Sequence, residues 1–187
     1  VFNLNKKIIE NSYKQIIGSL GDFVDQKGVK DTPKRVANAY EELLSGYTAD
    51  IEKIINNALF DVEYDQIVIV KNIKFYSLCE HHILPFFGKI DIGYLPNNKI
   101  IGLSKIPRIT QVFSKRLQVQ ERLTEQIGKA IFENTNALGA GVVINAQHMC
   151  SSMRGVNMSG TEMVTSSLFG TFKSDNATRK EFFDLIK

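Results

Sequence analysis

All three histidines and both cysteines of this 187-residue chain fall in two short windows, Cys79-Glu80-His81-His82 and His148-Met149-Cys150. A single cysteine or histidine is usually explained by core packing, but five of five gathered this way is not scatter. Cys79 and His82 have two residues between them, a gap that lets one turn bring both side chains to a single ion. Two thiolates and one imidazole form a soft donor set that suits Zn²⁺ better than Mg²⁺ or Ca²⁺. Catalytic zinc sites keep one position open for water, whereas structural sites close with four protein ligands. His81 and His148 are each available as a fourth ligand, so a closed structural site is the competing reading. As spare imidazoles beside a metal they are better suited to acid–base work, because histidine titrates near neutral pH.

A second group consists of cations and hydroxyls. Gly102-Leu103-Ser104-Lys105-Ile106-Pro107-Arg108 places Ser104, Lys105 and Arg108 at a strand-to-helix junction, where helix N-terminal amides also attract anions. Taken alone, the segment reads better as a solvated helix cap with incidental charges. Arg154, four residues beyond Cys150, adds a cation near the metal candidates and brings a phosphate reading level with that one. Gln120 and Glu121 open a long helical pattern, where an acid is also favoured by the helix dipole whatever the function.

These residues must be positioned by helices first and strands later. Leu4, Ile8, Ile9, Ile16, Ile17 and Leu20 follow a helical stripe over residues 4–20. A second helix is expected from Thr32 as N-cap with Pro33 at its first position, its inner face formed by Val36, Ala37, Tyr40, Leu43 and Leu44, and Gly46 at its stop. Residues 66–76 are β-rich, and 87–95 alternate as a strand does. The Pro96-Asn97-Asn98 turn predicts a hairpin from that strand into a short one at 99–103. Pro107 is expected to open a helix reaching about Leu117, followed by a longer helix over about Gln120–Leu138 with Leu123, Ile127, Ala130 and Ile131 inward. Strands over 141–150 and 163–172 complete the pattern. In the first of these, Val142, Ile144, Ala146, His148 and Cys150 would share one face. The class implied is α+β, one domain over 1–187, with a helical segment over 1–47 and an antiparallel sheet, covered by helices on one face, within 60–187.

Composition removes several alternatives. An apolar fraction of 43% and a charged fraction of 23% are ordinary for a globular protein. A net charge of +3, with acids and bases interleaved, lacks the basic stripe of a nucleic-acid binder. No stretch approaches the roughly 18 apolar residues of a membrane span. Nothing at the N-terminus resembles a signal peptide, which points to a cytoplasmic protein with its cysteines as thiolates rather than a disulfide.

Cys79-Glu80-His81-His82, Gly102-Leu103-Ser104-Lys105, Gln118-Val119-Gln120-Glu121-Arg122-Leu123 and His148-Met149-Cys150 with Met153-Arg154-Gly155 together resemble GTP cyclohydrolase I. The similarity runs in order from about Asp31 to Phe182. The resemblance implies the tunnelling fold (T-fold), in which antiparallel sheets of several subunits join into barrels, and a homodecamer with its sites at subunit contacts. It implies conversion of GTP and water to formate and 7,8-dihydroneopterin triphosphate, the first step of folate and pterin biosynthesis. By the same resemblance, Cys79, His82 and Cys150 hold Zn²⁺, and His81 and His148 move protons. Glu121, with Gln120 nearby, holds the guanine edge, while Ser104, Lys105, Arg108, Arg154 and Arg35 hold the triphosphate. Asn38 departs from the pattern, since some bacterial members carry a lysine there. The first 30 residues match little, although regulation in this family often involves that region. Two other readings compete: a different zinc hydrolase of purines or pteridines on the same fold, and a scaffold protein whose zinc is structural.

Overall fold

The computed structural model describes residues 3–187, so the first two residues of the expected domain lie outside the described residues. Four helices come first: α1 (Lys6–Gly18), α2 (Gln26–Val29), α3 (Thr32–Leu43) and α4 (Ile51–Ile55). Strands β1 (Leu59–Asp61), β2 (Val68–Cys79), β3 (Pro85–Leu95) and β4 (Lys99–Ile101) follow. Next come α5 (Lys105–Ser114), β5 (Leu117–Gln118), α6 (Gln120–Thr135) and β6 (Gly139–His148). The chain ends with α7 (Met149–Ser152), β7 (Met163–Gly170), α8 (Thr171–Ser174) and α9 (Asn176–Ile186).

The main sheet has the order β5-β2-β3-β6-β7. The β2–β3, β3–β6 and β6–β7 pairs are antiparallel, while the two-residue β5 adds a parallel edge beside Leu78 and Cys79. The α+β class with an antiparallel sheet therefore holds, modified by one short parallel pairing. Ile90 and Ile92 of β3 face Ile144 and Val142 of β6 in register, and all four are fully buried. Period-two alternation sends these side chains to the face that α5 and α6 cover. Ile106 and Ile109 of α5 and Leu123, Ile127 and Ile131 of α6 complete that core. The inward positions expected for α6 are all buried.

Four expectations are corrected. The strand at 99–101 does not form a hairpin with β3; it pairs with β1, Leu59 opposite Ile101. Both edges of β3 are already occupied by β2 and β6, so no ladder groups remain for β4. The strand expected over 141–150 ends at His148, and Cys150 lies in the helical turn α7 rather than on the strand face. The helix after Pro107 begins two residues earlier, at Lys105, and the second helix begins at Thr32 itself with Asp31 as N-cap.

The sheet is also covered on part of its second face. Gly93 of β3 and Gly141 of β6 are register partners, and a Cβ on either would come within 2.7 and 2.9 Å of the Phe182 ring. The paired glycines make a flat floor for Phe182 of α9, which is fully buried with Phe172 against it at 5.2 Å. At the other end of the chain, α1 has no buried residue. It rests on α3 through the Tyr13 and Tyr40 hydroxyls, 3.0 Å apart, and a Lys6–Glu41 ion pair.

Candidate metal centre and active site

The turn between β2 and β3 is built to place two donors together. Ile83 N–H donates to the Cys79 carbonyl at 2.8 Å and Cys79 N–H to the Leu84 carbonyl at 2.9 Å, closing the loop on itself. Closure puts Ile83 at φ +56°, a left-handed conformation that a β-branched residue rarely adopts. On the other side of β3, β6 delivers His148, and α7 then turns the chain back so that Cys150 faces the loop. As a result the ligand atoms of Cys79, His82 and Cys150 all lie within 4.8 Å of one another. This cluster can hold a metal ion. Among the described residues it is a three-donor set, with neither His81 nor His148 in it.

Electrostatics agree with a cation between the sulfurs. Burial first, and then the neighbouring Cys79 sulfur, pushes the Cys150 thiol above its ordinary value. Two thiolates at this distance repel each other, and a bound divalent ion reverses that penalty. A terminal guanidinium nitrogen of Arg154 stands 3.4 Å from His82 Nε2.

The two remaining histidines differ in setting. His81 is largely exposed, with Nδ1 3.9 Å from the Cys79 sulfur and Nε2 3.9 Å from Glu80. His148 ends the apolar stripe of β6, stacked on Phe86 with ring centres 4.7 Å apart and planes 5° from parallel. Its Nε2 lies 2.8 Å from Gln120 Oε1. Burial holds the His148 imidazole below its ordinary value, with the Glu121 carboxylate pulling the other way.

Glu121, in the first turn of α6, is exposed. It lines a cavity of about 460 Å³ together with Thr165, Ser166, Phe169 and Lys173. Gln120 beside it is buried and directed inward, to His148 and to strand carbonyls. The chain thus gathers Cys79, His82, Cys150, His81, His148, Gln120, Glu121 and Arg154 at one end of the sheet.

Ser104, Lys105 and Arg108 are not part of that gathering. They begin α5, whose ten residues span about 15 Å. The metal end lies at the other terminus of α5, where β5 pairs with Leu78 and Cys79. Arg35 is exposed on α3, away from the cluster's own contacts, and Asn38 on the same helix accepts from Lys6 at 3.5 Å.

Two contributors were not legible as such. Phe86 follows the Cys79–His82 motif and gives no polar signal, yet it sets the His148 ring plane. Arg122 lies within a quoted motif without a role, and both its terminal nitrogens grip Glu80. A charge four residues or fewer from a helix start was the available clue, and it does not reveal a partner 42 residues away.

Comparison with known proteins gives a consistent result. The family profile described as GTP cyclohydrolase I matches residues 9–187. The GTP cyclohydrolase 1 of Leptospira biflexa is 52% identical over 179 residues, 96% of this chain and 98% of that protein. That of Campylobacter jejuni is 50% identical over 181 residues, 97% of this chain and 95% of that protein. That of Methylococcus capsulatus is 49% identical over 179 residues, 96% and 97% of the two chains. Among solved structures, the apo form of the archaeosine synthase QueF-Like aligns with a TM-score of 0.47 at 14% identity, over 58% of this chain and 97% of that one. Among the described residues no helix is long and apolar enough to cross a membrane.

Proposed function

Since the chain belongs to the GTP cyclohydrolase I family, we propose that it opens the imidazole ring of GTP by hydrolysis at C8, releasing formate and giving 7,8-dihydroneopterin triphosphate. The observation that carries this reading is the three-donor cluster of Cys79, His82 and Cys150 with two further imidazoles beside it. Its donor chemistry fits Zn²⁺: two sulfurs and one imidazole, with the sulfur pair unfavourable as thiolates until a cation joins them. When bound, zinc supplies Lewis acidity that makes water a nucleophile near neutral pH. A set of three protein donors leaves room for that water, which favours a catalytic over a structural site.

The chain's own residues do the rest. Glu121 offers two carboxylate oxygens to the adjacent N1–H and 2-amino donors of guanine, a pairing that adenine cannot make. His148 and His81 move protons as the ring C–N bonds break and formate leaves, and a positioned proton-transfer group typically contributes ~10²–10⁴-fold. Arg154, at the metal end, neutralises phosphate charge.

The reading extends to assembly. Ser104, Lys105, Arg108 and Arg35 act on the triphosphate of a site in a neighbouring subunit, because α5 carries the first three away from their own chain's metal cluster. Edge strand β7, beside Glu121, offers the ladder through which sheets of adjacent subunits continue. A homodecamer with shared sites, in the cytoplasm, follows from the family's pattern. Incubation with GTP, followed by the fluorescence of the oxidised pterin, tests the activity; sedimentation of the active species tests the assembly.

A further inference from the structure

We propose that Gln120 is a positioning residue that fixes the tautomer and orientation of His148, holding Nε2 inward and leaving Nδ1 as the open ring nitrogen. The inference rests on the proposed function only in taking His148 to act on the substrate.

Gln120 is the first residue of α6 and is 1% exposed. Its Nε2 lies 3.1 Å from the Ile144 carbonyl and 2.9 Å from the Met163 carbonyl. Carbonyl oxygens only accept, so the amide atom between them must be the nitrogen, and the flipped arrangement would set oxygen against oxygen. Oε1 is therefore the atom 2.8 Å from His148 Nε2. An amide oxygen also only accepts, which requires a hydrogen on Nε2. Nε2 is thereby committed to Gln120, and Nδ1 is the ring nitrogen left open. Among the described residues Nδ1 has no hydrogen-bond partner of its own.

The amide itself is held from behind. Nε2 also reaches Thr165 Oγ1 at 3.1 Å, Thr165 shares a 2.6 Å hydrogen bond with Thr124, and Thr124 donates to the Gln120 carbonyl at 2.6 Å. The network joins α6, β6 and β7, and Phe86 stacked on the imidazole restrains its remaining rotation. Gln120 thus has two amide hydrogens spread over three acceptors and its oxygen engaged. It is fitted to act through His148 rather than on the base.

Nitrogen-15 NMR of histidine-labelled, metal-loaded protein tests this directly, since the chain has only three histidines and a His148→Gln sample assigns the signal. The neutral His148 ring should show Nε2–H with a bare Nδ1; the opposite tautomer in the unmodified protein overturns the proposal. Gln120→Met should give a mixture of tautomers, with kcat reduced ~10-fold or more, KM for GTP changed little and metal content intact. A raised KM at unchanged kcat in Gln120→Met would instead show a contact with the base. If Gln120→Met does not fold, the tautomer of the unmodified protein still decides. If GTP proves not to be a substrate, that same measurement stands apart from the failed activity.

Discussion

Arg122 of α6 directs both terminal guanidinium nitrogens, at 2.8 and 2.7 Å, to one carboxylate oxygen of Glu80 in the loop that carries Cys79 and His82. The pair spans 42 residues of sequence and ties the metal loop to the helix that presents Gln120 and Glu121. Because both side chains are partly exposed, the bridge itself contributes about 1 kcal/mol or less to stability. Its effect should lie in pre-ordering the loop. Arg122→Ala should keep its fold yet bind zinc roughly tenfold more weakly, as outer partners of metal sites typically do. Competition against a chromophoric chelator measures this, and an unchanged affinity would remove the role given to the bridge.

The adjacent histidines should separate cleanly. His82→Ala removes a donor from the three-atom cluster, so it should lose metal, turnover and, through the linkage of metal binding to folding, stability. His81→Ala leaves the cluster whole and should keep near-full metal while losing ~10²–10⁴-fold in turnover. Metal analysis beside kinetics checks both. Zinc-free His81→Ala protein would reverse the assignment.

Glu121, as proposed, should govern selectivity for the base. A site built around buried hydrogen bonds rejects partners lacking them by ~10⁴-fold or more. Glu121→Ala should therefore cripple GTP turnover without altering metal content, and ordinary kinetics in this variant would exclude a guanine contact.

Much of this site is legible in the sequence. The clustering of histidine and cysteine, with the two-residue gap between Cys79 and His82, pointed to the three residues whose ligand atoms come together. The alternation of Val142, Ile144 and Ala146 found the core face and put His148 at its end. Alternation has no means of announcing a stop, so the turn that lifts Cys150 off the strand was missed. Pairing partners were less legible still. β4 looked like the return of a hairpin because a turn sequence precedes it, but local turn chemistry does not record that β3 has both edges filled. The two-residue β5 and the packing of Phe182 on Gly93 and Gly141 depend on long-range register, which no short window contains.

Register also supplies a stability prediction. A Cβ on Gly88 of β3 would lie 1.9 Å from the Asn145 carbonyl oxygen and 2.7 Å from the Ala146 Cα. Both obstacles are backbone of β6, so no side chain can swing aside. Gly88→Ala should cost at least the ~1–3 kcal/mol typical of overpacking, read as a lower denaturation midpoint. Because β6 also carries His148, activity should fall with it. A midpoint equal to the unmodified protein's would show that the strands can part more easily than this packing allows.

The most direct test of the whole account is the stoichiometry of formate to GTP consumed, measured on one preparation as purified, after chelation, and after zinc is restored. One formate per GTP, abolished by the chelator and recovered with zinc, is the expected result. GTP consumed with phosphate but no formate, or formate production indifferent to metal removal, would contradict ring opening at a centre held by Cys79, His82 and Cys150.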